Sequence, residues 1–188
     1  MMSSLQELLK LAQPPENPIF TGVNEDIHCI EEQIGSRLPP DYIEYVHNYG
    51  ACWFYRYCSI FPFTITSTNS IWNIHQSNQE QLSNLFENEY SGYQYPVYPR
   101  KNGVLLCGCD IFGNFIAWLT DGEPENWTTI YFDYDCGTFD KFDMNLTTFL
   151  LKLVKNEINP DCFDNTRREI YGNKPGNKPI VSVTDVEP

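Results

Sequence analysis

The sequence is poor in basic residues. Its 188 residues include 12 Lys and Arg against 25 Asp and Glu, which gives a formal net charge of −13. Such an excess of negative charge disfavours nucleic acid and anionic membrane surfaces as partners, because both repel an acidic protein. It is compatible with a basic protein partner, and equally with a charge that serves only solubility.

Targeting and cross-linking signals are also missing. No apolar run approaches the roughly 20 residues that a membrane-spanning helix needs. The first residues, MMSSLQELLKLAQPPEN, lack the basic region and apolar stretch of a signal peptide. The seven cysteines are an odd number, and their spacing matches no disulfide framework. We therefore expect a cytoplasmic protein with free thiols.

Signatures of catalysis are equally scarce. The three histidines occur in no His-Glu-x-x-His pattern and beside no recognisable nucleophile. Gly108 and Gly113 are not followed by the Lys and Ser/Thr of a phosphate-binding loop. Cys107 and Cys109 are one residue apart, whereas zinc sites usually space their thiols by two to four residues. We predict buried thiols acting as small apolar residues, and no enzyme activity, catalytic residue, metal or cofactor.

What the sequence does contain is a clear succession of helical and strand patterns. A capping box at Ser4 and Glu7 predicts a first helix, and Asn24 and Asn145 are predicted to cap two others. Glycines at positions 35 and 50 mark helix ends. Helices are predicted at residues 5–12, 24–34, 41–49, 79–89 and 146–154.

Strand patterns fill the middle of the chain. Two short strands are predicted within residues 52–63, joined near 57–59. A hairpin follows, made of strands 104–107 and 115–119, and then a strand at 128–132. Helices followed by strands and a final helix indicate an α+β fold rather than an alternating α/β fold.

Three regions are predicted along the chain. Residues 1–22 form a short helix and a loop, residues 23–160 form one α+β domain, and residues 161–188 form a largely flexible extension. Within that extension, Ile180–Val183 has the composition of a strand that could pair with a sheet edge.

Four segments carry a family resemblance. The first is a helix ending in Ile34-Gly35, and the second is the corner LPPDY at residues 38–42 with its helix ending in Asn48-Tyr49-Gly50. The third is the strand–turn–strand segment 104–115, and the fourth is the helix containing Thr148-Phe149-Leu150. In this order they resemble the SUKH superfamily, which includes the fungal cell-wall assembly regulator domain of Smi/Knr type and many bacterial relatives. The resemblance covers roughly residues 24–155.

The resemblance implies a mixed, mostly antiparallel sheet with helices packed against it, and a function in binding protein. Bacterial members resemble immunity proteins, which neutralise a toxin by stoichiometric binding. Fungal members resemble regulatory or scaffold modules that have no toxin partner. Because the family has no shared catalytic constellation, the resemblance transfers no catalytic residue.

Acidic residues near the predicted hairpin suggest where a partner binds. Residues 110–143 contain eight acids and one base, so they account for −7 of the net charge of −13. If their loops converge at one end of the sheet, they form a negative patch that steers a basic toxin domain, with Trp127 and Tyr134 as aromatic anchors. The alternative is a set of solvated loops with helix-capping acids. The predicted partner-binding residues are Asp121, Glu123, Glu125, Trp127, Asp133, Tyr134, Asp135 and Asp140.

Two functions remain open on these grounds. The first is an immunity protein for a cognate toxin domain that is basic, and that the charge suggests is a nuclease. The second is a regulatory or scaffold module of Smi/Knr type. Neither function involves nucleic acid or a membrane as a direct partner.

Overall fold

Five α-helices and seven strands are present in the computed structural model, which describes residues 2–64, 70–87, 95–134, 137–161 and 180–182. The helices are α1 (Ser4–Leu11), α2 (Asn24–Ile34), α3 (Pro40–Tyr49), α4 (Ile71–Glu87) and α5 (Leu146–Val154). The strands are β1 (Cys52–Phe54), β2 (Cys58–Ile60), β3 (Val104–Asp110), β4 (Phe115–Leu119), β5 (Thr128–Asp133), β6 (Thr138–Phe142) and β7 (Ile180–Ser182).

The strands form one sheet in the order β6-β5-β4-β3-β2-β1-β7, and each neighbouring pair is antiparallel. One parallel bridge joins Val97 to Val104 at the start of β3. From β1 to β6, consecutive strands lie side by side, and most of them are joined by turns too short for any other connection. Strand β7 instead pairs with β1, at the edge opposite β6. The predicted α+β fold with a mostly antiparallel sheet is therefore confirmed.

Helices cover both faces of the sheet. Tyr42 of α3 packs edge-on against Trp118 of β4, with ring centroids 5.0 Å apart. Phe149 of α5 packs against Tyr131 of β5 on the same face. On the opposite face, α4 lies against β3. All five residues of β4 are buried, as expected for a strand covered on both sides.

The N-terminal helix contributes to the same core. Leu8 is fully buried, and Leu5 is nearly so. The Ser4 hydroxyl lies 2.8 Å from the Thr148 hydroxyl of α5, and the Tyr49 hydroxyl donates to the carbonyl of Ala12. Helix α1 thus packs against α5 and α3, although the resemblance begins only at residue 24.

Two helix starts differ from the prediction by one residue. Ser3, not Ser4, caps α1: its hydroxyl accepts the Gln6 N–H, and the Gln6 side chain accepts the Ser3 N–H. Before α2, the Asp26 carboxylate accepts the Val23 N–H at 2.9 Å, so Asn24 lies inside the helix. In both places neighbouring polar residues offer the same chemistry, and backbone geometry selects between them.

Three further features differ from the prediction: the start of a helix, the position of a turn and an additional strand. Helix α4 starts at Ile71, eight residues before the predicted start. The turn between β1 and β2 occupies residues 55–57 rather than 57–59. Strand β6 was not predicted at all, because Thr138–Phe142 is a partly exposed edge segment without a clean alternation of apolar and polar residues. Ile180–Ser182 does pair with β1, the option that the sequence left open.

The last helix and two central strands, β4 and β5, follow the prediction closely, whereas β3 extends three residues beyond its predicted end, to Asp110. The Asn145 side chain accepts the Thr148 N–H at 3.0 Å and caps α5 as predicted. Strand β4 has the predicted limits, and β5 is one residue longer. Within the ranges that the structure describes, no helix is long and apolar enough to cross a bilayer.

Candidate protein-binding surface

The acids that the sequence grouped together lie at two ends of the sheet. Asp121, Glu123 and Glu125 precede β5, whereas Asp133 is its last residue. Because β5 has six residues, its ends are about 17 Å apart. The expectation that these loops converge at one end of the sheet is therefore wrong. We call residues 121–127 the acidic loop, and the opposite end of the sheet the hairpin end.

The remaining predicted acids do not complete a single patch. Asp140 lies within β6, opposite Tyr131, rather than in a loop before the last helix. Its carboxylate accepts the N–H of Asp161 at 2.8 Å. Asp135 lies outside the residues that the structure describes.

The acidic loop carries three exposed carboxylates, two of which contact one arginine. The Arg37 guanidinium lies 3.1 Å from Glu123 and 3.2 Å from Glu125. All three side chains are largely exposed, at 61%, 74% and 44%. The bond to Glu123, followed by the charge of Glu125, raises the pKa of Arg37. Arg37 therefore offsets part of the negative charge on this loop.

Arg37 is held there by the LPPDY corner, which joins α2 to α3. The Leu38 N–H donates to the Glu31 carboxylate at 2.8 Å. Asp41 accepts the N–H of Thr147 in the first turn of α5, at 2.9 Å. Burial raises the pKa of Asp41, and the bonds from Thr147 oppose that rise. The corner thus ties α2, α3 and α5 together beside the acidic loop.

Two shallow clefts flank the acidic loop, on either side of Asn126 and Thr128. One cleft of about 450 Å³ contains Asp121 and Lys141. The other, of about 340 Å³, contains Glu125 and Asp143. Lys141, near the end of β6, forms an ion pair of 3.0 Å with Asp143 directly after that strand. Four carboxylates and two cations therefore meet at this end, and it keeps a net negative charge.

Trp127 is not an exposed anchor. Only 4% of the residue is accessible, and its indole N–H donates to the Gly122 carbonyl at 3.2 Å. Its ring lies 5.9 Å from that of Trp118 in the core. The prediction for this residue is corrected, because the tryptophan closes the acidic loop onto the sheet instead of facing solvent.

Tyr134 lies at the hairpin end and is half-buried. Its N–H donates to the Asn114 side chain, and its ring packs edge-on against Phe115. Its hydroxyl contacts Gln81 of α4. Part of the ring remains accessible, far from the acidic loop with which the sequence argument grouped it.

The hairpin end also carries two exposed apolar residues that the sequence argument treated only as part of a turn. Ile111 is 40% exposed and Phe112 is 62% exposed. Both lie in the turn between β3 and β4, where small or polar residues are the usual choice. The signal available in the sequence was two large apolar residues directly after Asp110 and before Gly113-Asn114.

The prediction of buried thiols is confirmed for Cys107 and only partly met by Cys109. Cys107 is fully buried, and Cys109 is half-buried. Burial raises the pKa of the Cys107 thiol, and it raises that of Cys109 to about 11. Thiols with such pKa values contain little reactive thiolate at neutral pH. Across the described parts of the chain, no group of three His, Cys, Asp or Glu side chains is placed to hold a metal ion.

Comparison with known proteins identifies the family to which the chain belongs. The family model described as SUKH_6, SMI1-KNR4 cell-wall, matches residues 24–150. No curated protein and no solved structure matches the chain. The matched range begins at α2 and ends within α5, so it contains the corner, the central strands and the acidic loop. Because the match covers more than half of the sequence, the chain belongs to the SUKH_6 family of the SMI1-KNR4 cell-wall type.

Proposed function

We propose that this protein is an immunity protein, which neutralises a cognate basic toxin domain by stoichiometric binding. It acts by covering or locking the toxin rather than by catalysis. Membership of a family of protein-interaction modules supports binding as the activity. The net charge of −13 favours a basic partner, and a nuclease is one class of toxin with that charge.

The observation that carries the proposal is the exposed acidic loop. Asp121, Glu123 and Glu125 are all exposed on a loop that the buried Trp127 fixes to the sheet. Carboxylates placed in this way raise the rate of association with a cationic surface and align it before contact. Asp143 extends the negative surface on the adjoining cleft. We assign this end of the molecule as the first contact with the toxin.

Co-expression tests this proposal directly. Each protein encoded beside this gene is produced in turn as a candidate toxin, in cells with and without the protein, and survival is scored. We expect survival only when both are present, and a one-to-one complex on size-exclusion chromatography with light scattering. Cells that die in both cases, together with two separate elution peaks, would refute the proposal.

A second candidate function is a regulatory or scaffold module without a toxin partner. The family description, which refers to the SMI1-KNR4 cell-wall type, favours this alternative. A scaffold would recover several unrelated proteins in a crosslinked pull-down, whereas an immunity protein would recover one. The gene neighbourhood distinguishes them further, since a scaffold needs no toxin gene beside it.

A further inference from the structure

We propose that Ile111 and Phe112 form an apolar anchor at the hairpin end, which inserts into an apolar pocket of the same basic protein partner. The inference rests on the proposed function for the existence of that partner. It adds a second contact surface, separate from the acidic loop and of different chemistry. The occupant is a protein, and neither a lipid surface nor a second copy of this chain.

The turn that carries Ile111 and Phe112 is rigid. The Asp110 carboxylate accepts the N–H groups of Phe112 at 2.8 Å and Asn114 at 3.0 Å. It also accepts the Asn114 side-chain amide at 2.9 Å and the Tyr131 hydroxyl at 2.8 Å. Gly113, with φ of +90°, adopts the left-handed conformation that completes the turn. Three of these bonds come from the turn itself, and the fourth ties the carboxylate to β5. A turn held in this way loses little conformational freedom when it binds.

The turn does not depend on large apolar side chains at positions 111 and 112. The Phe112 ring packs edge-on against Tyr57, with ring centroids 5.9 Å apart. Most of the Phe112 surface nevertheless faces solvent. Any polar residue would satisfy the turn, because the bonds that hold it come from Asp110 and the backbone. Places where a sequence departs from the local rule are expected at functional sites. Two adjacent large apolar residues on a rigid projection match the usual composition of a binding hot spot.

The hairpin end is wide enough to form part of a protein interface. The turns at residues 55–57 and 111–114, and the connection from β5 to β6, all lie at the hairpin end, since each joins neighbouring antiparallel strands. With strands about 4.8 Å apart, the three turns span about 20 Å. The Tyr134 N–H donates to the side chain of Asn114 in this turn, so Tyr134 lies at the same end of the sheet. This width suits a patch within a standard protein interface of about 800 Å² on each partner.

Charge decides which occupant fits. A net charge of −13 opposes docking onto an anionic membrane, and it opposes pairing between two copies through their own field. The same field favours a cationic protein, so a pocket with an apolar floor and a basic rim is complementary to the hairpin end. Asp133, the half-buried last residue of β5, adds an acidic residue at the same end of the sheet.

The test uses the full chain and the toxin domain identified by the co-expression experiment, inactivated in its own active site. Ile111→Ser and Phe112→Ser are combined, and binding is followed by surface plasmon resonance. We expect Kd to rise about 30-fold or more. The loss should appear as faster dissociation, with the association rate unchanged, because the substituted side chains are uncharged. Leu11→Ser, at a residue that is 49% exposed on α1, is the matched control and should leave Kd unchanged.

The outcomes separate this inference from the proposed function. An unaltered Kd for the double variant overturns the apolar anchor and leaves the immunity function intact. A wild-type protein that forms no complex contradicts both. Sedimentation of the wild-type protein alone supplies the third outcome: a dimer that the double variant abolishes would make the hairpin end an interface between two copies, and would overturn the assignment to a protein partner. Circular dichroism confirms that each variant is folded.

Discussion

Arg37 offsets part of the negative charge of acids that lie far from it in the sequence. The sequence places it 86 residues before Glu123, in a helix corner with no evident relation to the acidic loop. The fold brings its guanidinium between Glu123 and Glu125. The number of acids in a loop therefore overstates the charge that a partner meets, because a cation from elsewhere in the chain offsets part of it.

Replacing Arg37 by alanine tests this effect. We expect Arg37→Ala to speed association with the proposed basic partner about two- to threefold at low ionic strength, because the two glutamates lose their neutralising cation. The gain should vanish near 0.5 M salt, where the Debye length is only about 4 Å. The melting temperature should hardly change, since ion pairs between exposed side chains contribute little to stability. Stopped-flow association rates across a salt series supply the measurement, and a slower rate at low salt would contradict the charge argument.

His75 is a buried histidine whose contacts require the neutral ring. Its Nε2 lies 3.1 Å from the Tyr98 carbonyl, which can only accept, so Nε2 carries the proton. Its Nδ1 then accepts the Leu106 N–H at 3.5 Å. Burial lowers the pKa of the imidazole below its usual 6.5, and the bond to Tyr98 opposes this. The residue joins α4 to β3 as a structural group.

The lowered pKa predicts a pH dependence of stability. In the unfolded chain His75 binds a proton as the pH falls through about 6.5, whereas in the folded chain it does so only at lower pH. The contribution of His75 to the free energy of unfolding is therefore present above pH 6.5. It is lost as the pH falls toward the pKa that His75 has in the folded chain. We expect the free energy of unfolding, measured with urea, to fall between pH 7.5 and pH 5. For His75→Gln, we expect a shallower slope of this free energy against pH. Equal slopes for both proteins would mean that His75 does not titrate differently on folding.

At the scale of the element, α5 illustrates why some segments are predicted well. Its apolar residues recur at helical spacing, and Asn145 supplies a cap that depends only on neighbouring residues. The partner that the sequence could not show is Asp41, more than 100 residues earlier, which accepts the Thr147 N–H. Local periodicity determines that a helix forms, while distant contacts complete its first turn.

The core face of α5 gives a direct stability test. Leu150 is fully buried, so Leu150→Ala should lower the free energy of unfolding by about 2–5 kcal/mol, through lost burial and the cavity that remains. Urea denaturation monitored by tryptophan fluorescence measures the change. Lys152→Ala, on the less buried side of the same helix, is the control and should have little effect. A neutral Leu150→Ala would show that α5 does not pack as described.

The elements that were missed share a different property. Strand β6 is recognised by its pairing with β5, because Thr138–Phe142 has no strong alternation of its own. Helix α4 starts at Ile71 because Ile71 and His75 are buried against the rest of the fold, and the surrounding polar residues hide that pattern in the sequence. Edge strands and polar helices are stabilised by tertiary contacts, so local propensity identifies them poorly.

At the scale of the whole molecule, the protein has two chemically distinct ends. The acidic loop, with Arg37 beside it, lies at one end of the sheet. The rigid turn carrying Ile111 and Phe112 lies at the other. Charge acts over about 8 Å in physiological salt, whereas apolar contact requires direct burial. The two ends are therefore expected to affect different steps of binding.

Charge reversal of the acidic loop tests the first of these steps. Asp121, Glu123 and Glu125 changed together to lysine should slow association about tenfold or more at low salt, and should flatten its salt dependence. A matched variant changes Glu16, Glu25 and Glu44, three exposed acids outside the loop, and alters the net charge by the same amount. Association rates measured at several salt concentrations compare the two. Equal slowing by both variants would mean that net charge alone, and not the acidic loop, steers the partner.

The sequence by itself determined the order of most elements, the α+β class, the family and the negative charge, because each follows from local periodicity, composition or a short motif. Only the tertiary structure decided which of those residues a partner can reach. It buried Trp127, placed Arg37 against Glu123, separated the acids between two ends of the sheet and left Phe112 in solvent. These outcomes depend on strand register and on contacts between residues far apart in the chain, which no local pattern encodes.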